Sequence, residues 1–158
     1  HEISRSELPF YRRRIGTVFQ DFRLLPSKTA YENIAFAMEA AGAADEDIET
    51  DVPQVMELVG LMRQAWHFPR DLSGGENQRV AIARSLINDP DIILADEPTG
   101  NLDSVSGNEV IEVLKQLHKE GKTVVVITHD PAVAASCGRI IQIMDGKIQT
   151  SGKEKNAR

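Results

Sequence analysis

Residues 72–98, reading LSGGENQRVAIARSLINDPDIILADEP, constrain this chain more than any other stretch. They run a glycine pair into a helix, then a short connector, an apolar strand and two carboxylates at the strand's end. Ser73 is placed to cap the helix, and Glu76 follows three residues later, the spacing of a capping box. Gly74 and Gly75 leave the backbone bare. An anion can therefore come close where a helix offers unsatisfied N–H groups and partial positive charge. Behind them Val80, Ala83 and Ile87 fall at i, i+3 and i+7 and make one apolar face, and Asn88 and Pro90 stop the helix. Residues 91–95 are short, apolar and partly β-branched, which suits a strand buried on both faces of a parallel sheet. Asp96 and Glu97 close that strand, at the edge where open α/β sheets place their ligands. Neighbouring strand residues point to opposite sides, so the two carboxylates suit different work. One can hold Mg²⁺ beside phosphate oxygens, and the other can orient or deprotonate a water.

Each half also has an ordinary structural reading. Capping boxes open many helices, and an Asp-Glu pair at a strand's end is often a solvated terminus. The conjunction is what chance does not readily supply: LSGGxxQR, a helix, a connector, four apolar residues and Asp-Glu, in that order.

Here the chain resembles a known family. Leu72-Ser73-Gly74-Gly75-Glu76 resembles the signature motif of ABC-type ATPases, and Ile92-Ile93-Leu94-Ala95-Asp96-Glu97 looks like their Walker B strand with its catalytic glutamate. Asn101-Leu102-Asp103 resembles the D-loop, His129 the switch histidine, and Gln20, in Val18-Phe19-Gln20, the Q-loop glutamine. These motifs stand in the family's order along nearly the whole chain. The resemblance implies an α/β fold: a P-loop NTPase (RecA-like) core on a mainly parallel sheet, with an inserted α-helical subdomain. Residues 1–20 and 88–158 would belong to the core, and residues 21–87 to the helical subdomain with its signature helix.

The resemblance further implies ATP and Mg²⁺ as cofactors. Glu97 would polarise the attacking water, with Gln20 and His129 completing the catalytic set and reporting on the γ-phosphate. Asp96 and Gln20 would serve the metal. Ser73, Gly74, Gly75 and Gln78 would meet nucleotide held by a second subunit in a head-to-tail homodimer, and Asp103 would couple the two sites. The Gln20 loop would pass motion to an integral membrane partner, placing the protein on the cytoplasmic face of the cell membrane. Residues 19–26 (FQDFRLLP) and 29–37 (TAYENIAFA) are most similar to a cell-division branch of the family. Residues 94–103 (LADEPTGNLD) are shared more widely, with lipoprotein-releasing and macrolide- or peptide-exporting ATPases.

Composition narrows the alternatives. The 158 residues are 41% hydrophobic and 27% charged, enough for one core. A formal net charge of −6 argues against a general nucleic-acid surface, and Arg12-Arg13-Arg14 reads as a solvated face or a docking rim. No apolar run reaches the roughly 18–20 residues that span a bilayer. The single Cys137 cannot form an internal disulfide, which fits a reducing compartment.

Along the rest of the chain, residues 1–14 read as a loop with a short turn, and residues 15–19 as a strand leading to Gln20. Thr29 and Glu32 make a second capping box, followed by Tyr31, Ile34, Ala35 and Met38 at helical spacing and by Gly42 as a stop. Val52, Val55, Met56 and Val59 repeat that spacing. Pro53 among them predicts a fresh helix start near Asp51, or a kink. Met38 and Met56 read as core, and His67 as packed or solvated. Ser104 starts a helix whose stripe is Val110, Val113, Leu114 and Leu117, and residues 123–128 form a strand with His129 at its tip. Residues 131–137 make a short helix. Residues 139–144 and 147–149 form a hairpin about Asp145-Gly146, and residues 150–158 read as a frayed polar end.

An ATPase of this kind needs Gly-x-x-x-x-Gly-Lys-Ser/Thr, whose backbone cradles the phosphates. None of the 11 glycines is followed by it. The expectation is a C-terminal part of a longer protein, without its P-loop and the N-terminal strands beside the Walker B strand. Alone, such a part would bind ATP poorly and hydrolyse it negligibly. A natural half-ATPase or a non-enzymatic interaction module would share this feature. Chromosome-maintenance ATPases share several of the motifs but carry long heptad coiled coils, which do not occur here.

Overall fold

Three parallel strands carry the first of two units in the computed structural model, which describes residues 4–149. β1 (Ile15–Val18), β2 (Ile92–Asp96) and β3 (Thr123–Ile127) lie in the order β1-β2-β3, with Ile15 beside Ile92 and Leu94 beside Val125. This α/β arrangement with a parallel sheet is the expected fold class. The register gathers Gly16, Val18, Ile93, Ala95, Val124 and Val126 on one face. α4 (Gly74–Leu86) packs on that face so tightly that a Cβ on Gly16 would lie 2.5 Å from the Ser85 carbonyl oxygen. α5 (Ser104–Lys119) packs against both α4 and β3.

Two expectations are corrected here. β2 is covered on one face only: Ile93 and Ala95 are fully buried, while Ile92 and Leu94 on the other face are only half-buried. Beside them Val125 and Ile127 are 43% and 54% exposed. The reason is that α4 and α5 back the same side. β2 is also the central strand, with a partner on each side. Among the described residues the open edges belong to β1 and β3, not to the strand carrying Asp96.

The helices between β1 and β2 follow local chemistry closely. α2 (Ala30–Ala41) opens on the full Thr29/Glu32 capping box and ends on Gly42 in the left-handed region, φ 83°. α3 (Asp45–Leu58) starts six residues before Asp51, and the acidic run 45–47 forms its first turn, where negative charge complements the helix dipole. Pro53 sits inside this helix rather than at a new start. Val52 and Met56 are fully buried beside it, and burying side chains of that size gains about 1.5–3 kcal/mol each, comparable to the cost of an interior proline. Met38 and Met56 are core residues, as read from the sequence. Asn33 is buried and fully engaged. Its Oδ1 accepts from the Leu25 N–H, and its Nδ2 faces the carbonyls of Leu25, Lys28 and Thr29. That contact pins the loop before α2.

Residues 8–13 form a helix, α1, where a loop was expected; Pro9 sits in its first turn, the position a helix tolerates best. Part of the basic run is structural: the Arg14 guanidinium meets Asp91, and its carbonyl accepts from the N–H groups of Asp91 and Ile92.

The second unit starts at Thr128. α6 (Pro131–Ala135) is capped by Asp130, which accepts from the Ala132 N–H at 2.7 Å. β4 (Gln142–Met144) and β5 (Lys147–Gln149) form the expected antiparallel hairpin. Asp145 and Gly146 turn it with φ of 50° and 72°, as a tight two-residue turn requires. The frayed end expected at 150–158 lies outside the described residues.

Candidate functional site

The carboxyl ends of β1 and β2 lie side by side, because the strands are parallel and Val18 pairs with Ala95. That pairing brings Gln20, two residues past β1, near Asp96, the last residue of β2. A concavity of about 420 Å³ is lined by Phe19, Gln20, Asp21, Arg23, Asp96 and Asn101. Gln20 Nε2 donates to Asn101 Oδ1 at 3.1 Å, and Asn101 Nδ2 donates back to the Gln20 carbonyl at 3.1 Å. The Gln20 side chain lies over Gly100 so closely that a Cβ there would come within 2.7 Å of Nε2.

Glu97 follows Asp96 with φ of 45°, a left-handed conformation unusual outside glycine and costing about 1–3 kcal/mol. Its N–H is held by the Ile127 carbonyl at 2.9 Å. Strain of this kind on a half-buried carboxylate beside a concavity is characteristic of functional positions.

The segment after Gln20 is gripped by α4. Phe22 and Arg23 are both left-handed, with φ of 56° and 50°. Arg84 Nη2 donates to the Phe22 carbonyl at 2.9 Å and Nη1 to the Arg23 carbonyl at 2.6 Å. Burial pushes the Arg84 pKa down from its ordinary value, yet a guanidinium remains charged at neutral pH. Arg23 in turn lies over the Phe19 ring, 3.8 Å from its centroid.

At the other end of α4 the capping box is complete. Ser73 Oγ accepts from the Glu76 N–H at 3.2 Å, and Glu76 accepts from the Ser73 N–H at 2.8 Å and from Gln64 Nε2 at 2.9 Å. The Ser73 backbone hydrogen bond is the main cause holding the Glu76 carboxyl below its ordinary pKa. Ser73 and Gly74 are exposed, and the N–H groups of Gly74 and Gly75 have no partner among the described residues. Two donors at a helix N-terminus can receive an anion.

Two site residues, Gly75 and Gln78, are packed more deeply than expected. Gly75 is buried against α5: a Cβ on it would lie 2.8 Å from Ser106 Cβ, so its bareness serves helix packing, and Gly74 is the glycine left facing outward. Gln78 is fully buried and donates to the Phe19 carbonyl at 3.3 Å. It joins α4 to the end of β1 and is not at a surface where nucleotide would touch it. Asp103 caps α5, accepting from the N–H groups of Val105 and Ser106 at 3.0 Å each and from Ser106 Oγ at 2.7 Å. Ser106 is the main cause lowering its pKa. Ser104 is the first residue of that helix, as expected, and Asp103 is its cap. His129 is exposed and belongs to the second unit.

Gln20 and Asp96 thus share one concavity, with Glu97 next to it. The described residues contain no group of three His, Cys, Asp or Glu able to hold a metal by themselves. An exposed carboxylate with a neutral amide oxygen nearby suits Mg²⁺, which keeps several waters and takes one or two protein ligands plus phosphate oxygens. Sequence reasoning missed Arg84 and the roles of Gly100 and Asn101. Nothing within four residues of Arg84 signals its targets, which lie 61 and 62 positions away.

Gln20, Asp96 and the strained Glu97 stand at the carboxyl edge of a parallel α/β sheet, where open sheets of this kind place their ligands. The family model described as ABC transporter matches residues 1–100, and the chain belongs to that family. Among particular relatives it is similar to the cell division ATP-binding protein FtsE of Bacillus subtilis, 49% identical over 147 residues, which cover 92% of this chain and 64% of the relative. It is 41% identical to FtsE of Escherichia coli K12, covering 94% of this chain and 68% of that one. It is 44% identical to the macrolide export ATP-binding/permease protein MacB of Aggregatibacter actinomycetemcomitans, over 99% of this chain and 24% of that one. The chain therefore spans about two thirds or less of these relatives. A dimeric ATP-binding cassette solved in a post-hydrolysis state with ADP and Pi superposes with a TM-score of 0.83 at 42% identity, covering 99% of this chain and 70% of that one. CbiO1 of Clostridium perfringens superposes with a TM-score of 0.88 at 29% identity, covering 98% and 62%.

Proposed function

We propose that the protein carrying this chain is the ATP-binding and ATP-hydrolysing subunit of an ABC system, FtsE-like, which couples hydrolysis to a membrane partner in cell division. The observation that carries this reading is the gathering of Gln20 and Asp96 in one concavity beside the strained Glu97. Similarity to FtsE from several bacteria supports the cell-division role. Residues 1–20 and 88–158 belong to the RecA-like core in this reading, and residues 21–87 to the helical subdomain.

Asp96 and the Gln20 oxygen would hold Mg²⁺, which would supply charge neutralisation at the phosphates. Glu97 orients a water for in-line attack and takes its proton. Ser73 and the free N–H groups of Gly74 and Gly75 face the γ-phosphate of nucleotide held by a second copy, in a head-to-tail homodimer. His129 belongs with Gln20 and Glu97 in the catalytic set and reports with Gln20 on the γ-phosphate, and Asp103 relates one site to the other. The loop after Gln20, gripped by Arg84, transmits the change to an FtsX-like integral membrane protein. In this reading the protein associates with the cytoplasmic face of the cell membrane through that partner; no described helix is long and apolar enough to cross a membrane. Nucleic acid is not a partner in this reading.

Glu97→Gln tests it in the chain as encoded, with whatever residues flank this sequence. Turnover of Mg-ATP is expected to fall by about 100- to 10,000-fold, the usual range for losing a general base, while an ATP-bound dimer accumulates in light scattering. Turnover at the unsubstituted rate contradicts the role. The 158 residues by themselves are expected to bind ATP weakly and to turn it over negligibly. Robust turnover abolished by Glu97→Gln would contradict that. A second reading, an export ATPase, draws on the match to MacB along 99% of this chain. Co-purification of the native protein with an efflux permease, not with a division protein, would favour it.

A further inference from the structure

We propose that Asn101 is a positioning residue that fixes which end of the Gln20 amide faces the metal side of the concavity. The inference rests on the nucleotide reading above and deepens it. An amide presents either an oxygen or an NH₂ group, and the two ends are nearly equal in shape. Only the oxygen can serve a cation. A glutamine free to flip would offer the wrong end part of the time.

The hydrogen-bond chain removes that freedom in three steps. The Gln20 backbone carbonyl is an acceptor and nothing else, so the Asn101 group facing it at 3.1 Å must be the Nδ2 donor. That places Asn101 Oδ1 opposite the Gln20 side chain. Oδ1 is an acceptor, so Gln20 must meet it with Nε2, also at 3.1 Å. The Gln20 oxygen is the end left over for a ligand, in a concavity that Asp96 also lines. Gly100 is the floor of this arrangement. Its missing side chain lets the Gln20 amide settle, since a Cβ would come within 2.7 Å of Nε2 and 3.0 Å of Cδ. The loop after β2 therefore reads one end of the Gln20 residue, its carbonyl, and sets the other, its side chain.

The test measures Mg²⁺ affinity, not turnover, by calorimetric titration of Mg²⁺ into the chain as encoded, loaded with a non-hydrolysable ATP analogue. Asn101→Ala is expected to weaken Mg²⁺ about tenfold, as losing a group that orients a metal ligand does, while affinity for the analogue without Mg²⁺ stays unchanged. Gln20→Ala is expected to do the same. The double variant is expected to be no weaker than either single one, because both remove the same oxygen. Gly100→Ala, which leaves Asn101 in place but displaces the amide, is expected to weaken Mg²⁺ as well. Unchanged Mg²⁺ affinity in Asn101→Ala overturns the inference and leaves the nucleotide reading standing. Fully additive losses in the double variant overturn it too, since Asn101 would then act independently of Gln20. Equal loss of analogue affinity with and without Mg²⁺ assigns Asn101 a merely structural role and overturns it. Absence of Mg²⁺-dependent binding by the unsubstituted chain overturns the nucleotide reading, and this inference with it.

Discussion

α2 and α4 begin with the same device and end up with opposite surfaces. Each opens on a complete capping box, Thr29 with Glu32 and Ser73 with Glu76. At α2 the next two donors are also taken: the Ala30 N–H reaches the His67 carbonyl and the Tyr31 N–H the Ala65 carbonyl, each at 2.8 Å. Thr29 is 8% exposed, so that end is closed. At α4 Ser73 is exposed, and the N–H groups of Gly74 and Gly75 find no partner among the described residues. The capping box is a folding device at both places. What makes the second a candidate anion site is the absence of a neighbouring segment to fill it, together with α5 drawn in close under Gly75.

The close approach of α5 to Gly75 is where a substitution is expected to cost most. Gly75→Ala puts a Cβ 2.8 Å from Ser106 Cβ, which no side-chain rotation relieves. Overpacking of this kind costs about 1–3 kcal/mol, against a helix-propensity gain of up to about 1 kcal/mol. The expected net loss is read from the denaturant midpoint, and Ser106→Gly in the same chain is expected to restore most of it. A Gly75→Ala protein as stable as its parent would show that the two helix ends tolerate more separation than the structure gives them.

Substitutions of the capping residues themselves are expected to cost less. Thr29→Ala and Ser73→Ala are each expected to lower stability by about 1 kcal/mol, the usual loss for a serine or threonine cap. Only Ser73→Ala is expected also to weaken formation of the ATP-bound dimer. Equal dimer affinity in the two variants, measured by light scattering in the Glu97→Gln background, would remove the functional distinction between the ends.

Acid sensitivity should be common to both ends. Glu32 and Glu76 are each held below the ordinary value of 4.5, mainly by the backbone N–H of the capping residue. A carboxyl whose folded pKa is lowered contributes stability that is complete above its unfolded value and lost as pH falls through the folded one. Stability is therefore expected to decline below about pH 4.5, and Glu32→Gln with Glu76→Gln to flatten that limb. An acid limb as steep in the double variant as in the parent would place the protons elsewhere.

What the sequence made legible was set within three or four residues. Both capping boxes, the Gly42 stop, the apolar stripe of α5 and the Asp145-Gly146 turn depend on neighbours in the chain, and they stand where expected. So does the order of the strands' ends, which puts Gln20 and Asp96 together. No fresh helix start occurs near Asp51 because the burial of Val52 and Met56 holds α3 through Pro53, and no local pattern weighs that packing. Gln78 was read as a ligand contact because its motif is recognisable, whereas its burial depends on β1. The Arg84 grip on Phe22 and Arg23, and the pairing of Gln20 with Asn101 across 81 positions, are invisible until the sheet is assembled.

The most direct measurement is amide NMR of the isotope-labelled Glu97→Gln chain as encoded, titrated with Mg-ATP. Gly74 and Gly75 are expected to shift strongly as nucleotide saturates, while Ala30 and Tyr31, at the closed end, stay in place. Gly74 and Gly75 unmoved at saturation, or Ala30 and Tyr31 moving as far as they do, would contradict the assignment of the α4 end as the phosphate-facing one.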